Sequence, residues 1–178
     1  MLNSTCILTH VNAARQKMPN SSSYAMQLTL HTDYALRVLI YVNTRESQTA
    51  TVKQIAAHFS ISYHHLMKVV QHLTQLHYVQ ATRGRHGGLR LAQAPEAINL
   101  GQIIRQLEPN LDLAECFNHT RNTCPLTPRC VLKRALYEAR QAFLQVLDGY
   151  HLAELTQPDT RGILPSLRDA AAERPPGA

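Results

Sequence analysis

Residues 51–92 restrict the fold more than any other stretch. Thr51 stands where an N-cap belongs, ahead of a short helix over 52–59. Ser60-Ile61-Ser62 reads as a tight turn. A longer helix follows from about 63 to 77, with Leu66, Val69, Val70, Leu73 and Leu76 on one face. Short helix, three-residue turn and longer amphipathic helix make a helix-turn-helix. Residues 78–82 then read as a strand, 83–88 as a turn holding three of the seven glycines, and 89–92 as the return strand. Glycine permits positive φ at a hairpin tip. A hairpin flanked by Arg83, Arg85 and Arg90 directly after a helix-turn-helix predicts a winged helix, mainly α with a two-stranded wing.

Charge points the same way. The formal net charge of +6 makes a polyanionic partner plausible, and its distribution is more informative. No Asp or Glu occurs between Ser47 and Pro95, a stretch that carries six of the ten histidines. A solvated basic face is the plainer explanation of such a run. Next to a helix-turn-helix and a basic wing, double-stranded DNA is the better one. Tyr63, His64, His65, Lys68, Gln71 and His72 lie off the apolar face of the second helix. Gln and His can reach base edges, and Lys68 can reach phosphate. With Ser62, Lys53, Arg83, Arg85 and His86 they form the expected DNA-contacting set.

Around this core, residues 1–25 are polar and aperiodic and read as a disordered N-terminal extension. The DNA-binding domain is expected over 26–108. Thr32 is placed to cap a helix over 34–45, whose first turn carries Asp33, an acid favoured there by the helix dipole. Asn99 and Gln102 resemble a capping box for a helix over 100–107, with Leu100, Ile103, Ile104 and Leu107 inward. A cysteine-bearing loop spans 109–130, and Thr127-Pro128 marks the next helix start. Leu132, Leu136, Ala139, Phe143, Val146 and Tyr150 repeat in steps of four and three. That heptad seam predicts a dimerisation helix within 131–156, paired with its copy in a homodimer. Residues 157–178 read as a flexible tail. No apolar run approaches the ~18 residues of a membrane span, and no secretory signal is evident, so a cytoplasmic protein with reduced thiols is expected.

Three of the four cysteines, Cys116, Cys124 and Cys130, fall in C-x7-C-x5-C. Zinc sites prefer C-x2–4-C pairs, whereas thiolates equally suit iron–sulfur clusters. Cys130 is expected in a first helical turn, where the dipole favours thiolate, and Arg121, Arg129, Lys133 and Arg134 add positive charge. A fourth ligand is needed. His119, Glu115, a residue from elsewhere and one from a partner subunit all remain open. Zinc and redox-active thiols stay as alternatives. No base–nucleophile arrangement suggests an enzyme.

Taken in order, these motifs resemble a known family. They are Met26-Gln27-Leu28-Thr29, Thr32-Asp33-Tyr34-Ala35-Leu36-Arg37, His65-Leu66-x-Lys68-Val69, Arg83-Gly84-x-x-Gly87-Gly88, Leu107-Glu108-Pro109 and the three cysteines. Over residues 26–156 the chain is similar to the NsrR family of nitric-oxide-sensitive, iron–sulfur winged-helix repressors. The resemblance implies a homodimer binding a DNA operator, with a 2Fe–2S or 4Fe–4S cluster on Cys116, Cys124 and Cys130. It also implies a fourth ligand at Asp33, reaching across from the other subunit. The related IscR type has Arg at the position of Asp33 and a His ligand near the cysteines, so Asp33 favours the NsrR reading. The alternatives are an IscR-type regulator and an iron–sulfur or zinc interaction module without specific DNA binding.

Overall fold

The computed structural model describes residues 27–45, 49–82, 84 and 87–156. The expected disordered extension at 1–25 and flexible tail at 157–178 lie outside these residues. The described elements are α1 (Leu30–Asn43), α2 (Val52–Phe59), α3 (Tyr63–Gln75), β1 (Val79–Thr82), β2 (Gly88–Leu91), α4 (Leu100–Leu107) and α5 (Val131–Asp148). Short 3₁₀ turns link the later helices. The strands pair antiparallel, Val79 opposite Leu91 and Thr82 opposite Gly88. The winged helix expected from the sequence is the observed architecture.

The helix-turn-helix forms where its chemistry requires. Thr51 accepts from the Gln54 N–H while the Gln54 side chain accepts from the Thr51 N–H, a reciprocal capping box that starts α2. Ser60 ends the helix in the left-handed region at φ 54°. Its neighbour Ile61 turns into the core. Leu66, Val69, Val70 and Leu73 bury the inner face of α3. The wing is stitched back by a bridge between Ala50 and Leu89, with backbone bonds of 3.1 and 2.7 Å. Gly88 is required there, because a Cβ would stand 2.6 Å from the Thr49 Cβ.

Helix α1 runs through the middle. Thr32, Ala35, Val38, Leu39, Tyr41 and Val42 are buried, as expected from apolar residues on nearly every side. Its start differs from the expectation at Thr32. Thr29 is the cap, its hydroxyl accepting from the Thr32 N–H, and Thr32 is fully buried in the first turn. The reason lies far along the chain. Glu108 accepts from both the Thr29 N–H (2.8 Å) and the Thr29 hydroxyl (3.2 Å), which fixes the cap one turn early. Asp33 remains in the first turn.

The start of α5 also differs. Thr127–Arg129 forms a single 3₁₀ turn, and the extended backbone at Cys130 separates it from the helix. Cys130 is therefore the N-cap, its Sγ accepting from the Lys133 N–H at 3.4 Å. Helix α5 packs on α4, held by an ion pair between Arg105 and Asp148, and buries only Leu144. After it, the Leu152 N–H donates to the Ile98 carbonyl and the Leu100 N–H to the Tyr150 carbonyl. Leu152 then plugs the core beside α1, and Asn43 donates to the Thr156 hydroxyl at 2.7 Å.

The turn at Ser60 yields a stability test. A β-branched residue tolerates the left-handed region poorly, so Ser60→Val should destabilise the fold by about 1–2 kcal/mol. Ser60→Gly should not destabilise it. Urea unfolding midpoints of the two variants check this.

Candidate functional site

Because α3 spends its apolar side on α1 and α2, its other side is open. Ser62, Tyr63, His64, His65, Lys68 and Gln71 are all exposed, as is Lys53 in the first turn of α2. Met67 joins this face at 41% exposure, an apolar member that helical periodicity alone does not single out. Ser62 precedes α3 without a side-chain cap bond. Arg83, Arg85 and His86 lie outside the described residues. The adjoining strands expose Gln80 and Arg90 beside the same helix-turn-helix. The described part of this face is basic and carries donors and acceptors of the kind that engage phosphates and base edges.

His72 was expected in the groove-facing set but is placed differently. It is half-buried, and its Nδ1 stands 3.0 Å from His31 Nε2 on α1. One imidazole must donate and the other accept. Burial holds the pKa of His31 below the usual histidine range, and His72 adds to that, while Glu108 opposes it. His72 thus ties α3 to the first turn of α1.

The cysteine loop is organised by polar bonds. Glu115 accepts from the Thr123 N–H at 2.6 Å and the Thr123 hydroxyl at 2.8 Å. Glu115 directly precedes Cys116 and Thr123 directly precedes Cys124, so this strap closes the seven-residue gap between the two thiols. These bonds hold the Glu115 carboxyl below the usual glutamate range. Its contribution is therefore present above that range and is lost as pH falls through the lowered value. Inside the gap, Asn118 Oδ1 accepts from the backbone of Thr120 and Arg121. At its far end, Asn122 accepts from the Cys124 N–H and donates to the Thr127 hydroxyl. Glu115, considered as a fourth ligand, is thus engaged within the loop. His119 stands exposed.

Cys116, Cys124 and Cys130 are half-buried and unpaired by disulfides. Cys130 borders an open depression of about 430 Å³, lined also by Thr127, Lys133, Arg134 and Tyr137. Asp33 is on α1, where Arg37 one turn later holds it by two contacts of 2.8 and 3.2 Å. Their i, i+4 spacing was a readable signal for this pair, which sequence reasoning missed. Among the described residues, no three His, Cys, Asp or Glu side chains of one chain are grouped to hold a metal ion. The donor set nonetheless fits an iron–sulfur centre. It offers three thiols, one at a helix N-terminus, within a basic surrounding that offsets anionic sulfur.

Comparison with known proteins bears on this arrangement. Residues 28–158 match the Rrf2 family, described as an iron-dependent transcriptional regulator. A relative named HTH-type transcriptional regulator NsrR from Halalkalibacterium halodurans is 50% identical over 131 residues, covering 73% of this chain and 90% of the relative. The NsrR of Geobacillus kaustophilus is 51% identical over 133 residues, covering 74% and 90%. That of Bacillus subtilis is 47% identical over 133 residues, covering 74% and 91%. Among solved structures, CymR, the global cysteine regulator of B. subtilis, superposes with a TM-score of 0.60 at 28% identity, covering 73% of this chain and 95% of that one. T. potens IscR gives 0.59 at 22% identity, covering 86% and 95%, a likeness of fold. No described helix is long and apolar enough to cross a membrane. With a winged helix, an exposed basic recognition face and this extent of identity, the chain belongs to the NsrR group of Rrf2 transcriptional regulators and is not an enzyme.

Proposed function

We propose that this regulator is a homodimeric, cytoplasmic repressor that senses nitric oxide through an iron–sulfur cluster and releases its DNA operator on nitrosylation. The observation that carries the reading is the loop of three unpaired thiols, pre-shaped by the Glu115–Thr123 strap and ending at the cap of α5. Cys116, Cys124 and Cys130 of one chain would hold the cluster, with Asp33 of a second copy as fourth ligand. When bound, the cluster supplies iron atoms with which nitric oxide reacts. The 2Fe–2S and 4Fe–4S forms both suit this donor set.

The chain's own residues supply the rest. Asp33 is a hard carboxylate with an alternative partner, Arg37, on its own helix. It therefore suits a ligand that must be given up. Glu108 bonds the cap of α1 and leads into the cysteine loop, so the loop's entry and the helix bearing Asp33 share one anchor. His72 ties α1 in turn to the recognition helix. A hundredfold loss of operator affinity requires only about 2.7 kcal/mol of differential binding.

Dimerisation has its own support. Leu132 (65% exposed), Phe143 (40%) and Val146 (61%) leave an apolar stripe along α5 that is exposed among the described residues. Tyr150, at the end of the predicted seam, lies just past the helix and is also exposed. Pairing α5 with a second α5 buries the stripe and sets two α3 helices to read a two-fold operator. For DNA contact, Lys53, Ser62, Tyr63, His64, His65, Lys68 and Gln71 form the proposed face, with Arg83, Arg85 and His86 at the wing tip.

Three outcomes are expected. Anaerobically purified protein should be brown and bleach with nitric oxide as operator binding falls, and Cys124→Ala should purify without colour and bind operator weakly. A colourless reconstituted chain that binds operator fully would remove the cluster from the switch. Lys68→Ala should lower the magnitude of the log-affinity against log-salt slope by about one. Phe143→Glu should shift the chain from dimer to monomer in sedimentation without loss of helical content.

A further inference from the structure

Arg140 stands in the middle of α5 on no part of the predicted seam, yet it is half-buried. Its guanidinium lies over the Phe117 ring at 4.8 Å from the centroid and over the Tyr137 ring at 5.2 Å. It also stands 3.9 Å from the Asp112 carboxylate. Tyr137 is on α5 itself, but Phe117 and Asp112 bracket the first arm of the cysteine loop. Phe117 is the residue after Cys116. Across that arm the remaining bonds described above run within the loop. The Glu115–Thr123 strap closes the loop on itself and does not fasten it to a helix.

We infer that Arg140 is the positioning residue that seats Cys116 on α5, through Phe117 and Asp112. This rests on the reading of Cys116 as a cluster ligand and extends it, because it fixes one ligand to the helix proposed to form the dimer. The chemistry suits the task. Stacking on an aromatic face combined with a partly shielded carboxylate holds a planar guanidinium in direction as well as place. Lys offers the charge without the plane. Cys130 is fastened differently, by its own place at the helix cap, and so provides an internal control. An arm loosened at Phe117 should leave Cys130 where it is and expose Cys116 more often.

The test uses the full chain without cluster, alkylated under reducing conditions, with each cysteine followed separately by mass spectrometry. Arg140→Met should raise the alkylation rate of Cys116 about fivefold and leave Cys130 unchanged. Arg140→Lys should restore part of the protection. Phe117→Leu, which keeps Arg140, should resemble Arg140→Met and serves as the second variant if circular dichroism shows Arg140→Met to be misfolded. Cys116 rates within twofold of the unaltered chain in the folded variants would overturn the seating role, as would an equal rise at Cys130. In parallel, reconstituted protein is challenged with an iron chelator, and Arg140→Met should lose its visible absorption faster. If the unaltered chain takes up no chromophore, the cluster reading fails while the alkylation pattern still decides the role of Arg140.

Discussion

Helix α1 buries six residues in the core, and much of the molecule is set by what that helix must touch. Its buried face keeps water from one side, and polar groups near its two ends are met by distant parts of the chain. Glu108, after α4, satisfies the cap at Thr29. His72, on α3, satisfies His31. Leu152 and Thr156, after α5, close the opposite end through Asn43. Three separate elements are thereby held to one helix, among them the recognition helix and the entrance to the cysteine loop. A change in how α1 sits would be felt by all of them at once, because packed helices shift between discrete seatings rather than deform smoothly.

The cysteine loop obeys a different physics. It lies outside the core and has few apolar residues to bury, so its shape depends on Glu115, Asn118 and Asn122 bonding nearby backbone and hydroxyl groups. Such bonds are individually modest in water. Bonds of this kind hold a shape at little individual strength, which suits the proposed role of the loop as a releasable ligand site. The clamp at Arg140 is the exception, joining that loop to a helix by stacking.

The sequence made the winged helix legible because each of its parts follows a local rule. Thr51 caps, Leu66 to Leu73 repeat with helical period, and glycines mark the hairpin. The starts of α1 and α5 differ from the expectation for two reasons, a distant partner at α1 and an uncommon capping residue at α5. Thr32 and Thr127 are good caps locally, but Glu108 selects Thr29, seventy-nine residues away. Cys130 caps α5 by a sulfur bond that propensity does not anticipate. His72 illustrates the same limit. Its position off the apolar face of α3 was correct by periodicity, yet a histidine on another helix claimed it. The cysteine spacing suggests a cluster and the family resemblance a fourth ligand from a second subunit, and among the described residues of one chain the three thiols are not gathered.

That shortfall coincides with a second one. Among the described residues, the apolar stripe on α5 is left uncovered, and the three thiols are not gathered with one another or with a fourth ligand. Two-fold association of the kind proposed addresses both, since it brings a second α5 to the stripe and a second Asp33 toward the loop. It also makes the two properties interdependent. A ligand donated across the dimer binds only while the subunits keep their relative seating, and giving it up frees that seating to change. Because Asp33 has Arg37 waiting one turn away, its release leaves no unpaired charge. On the proposed reading, Arg37 would give a released Asp33 a ready partner, and the regulator would need only a modest difference in binding between its two states to let go of DNA.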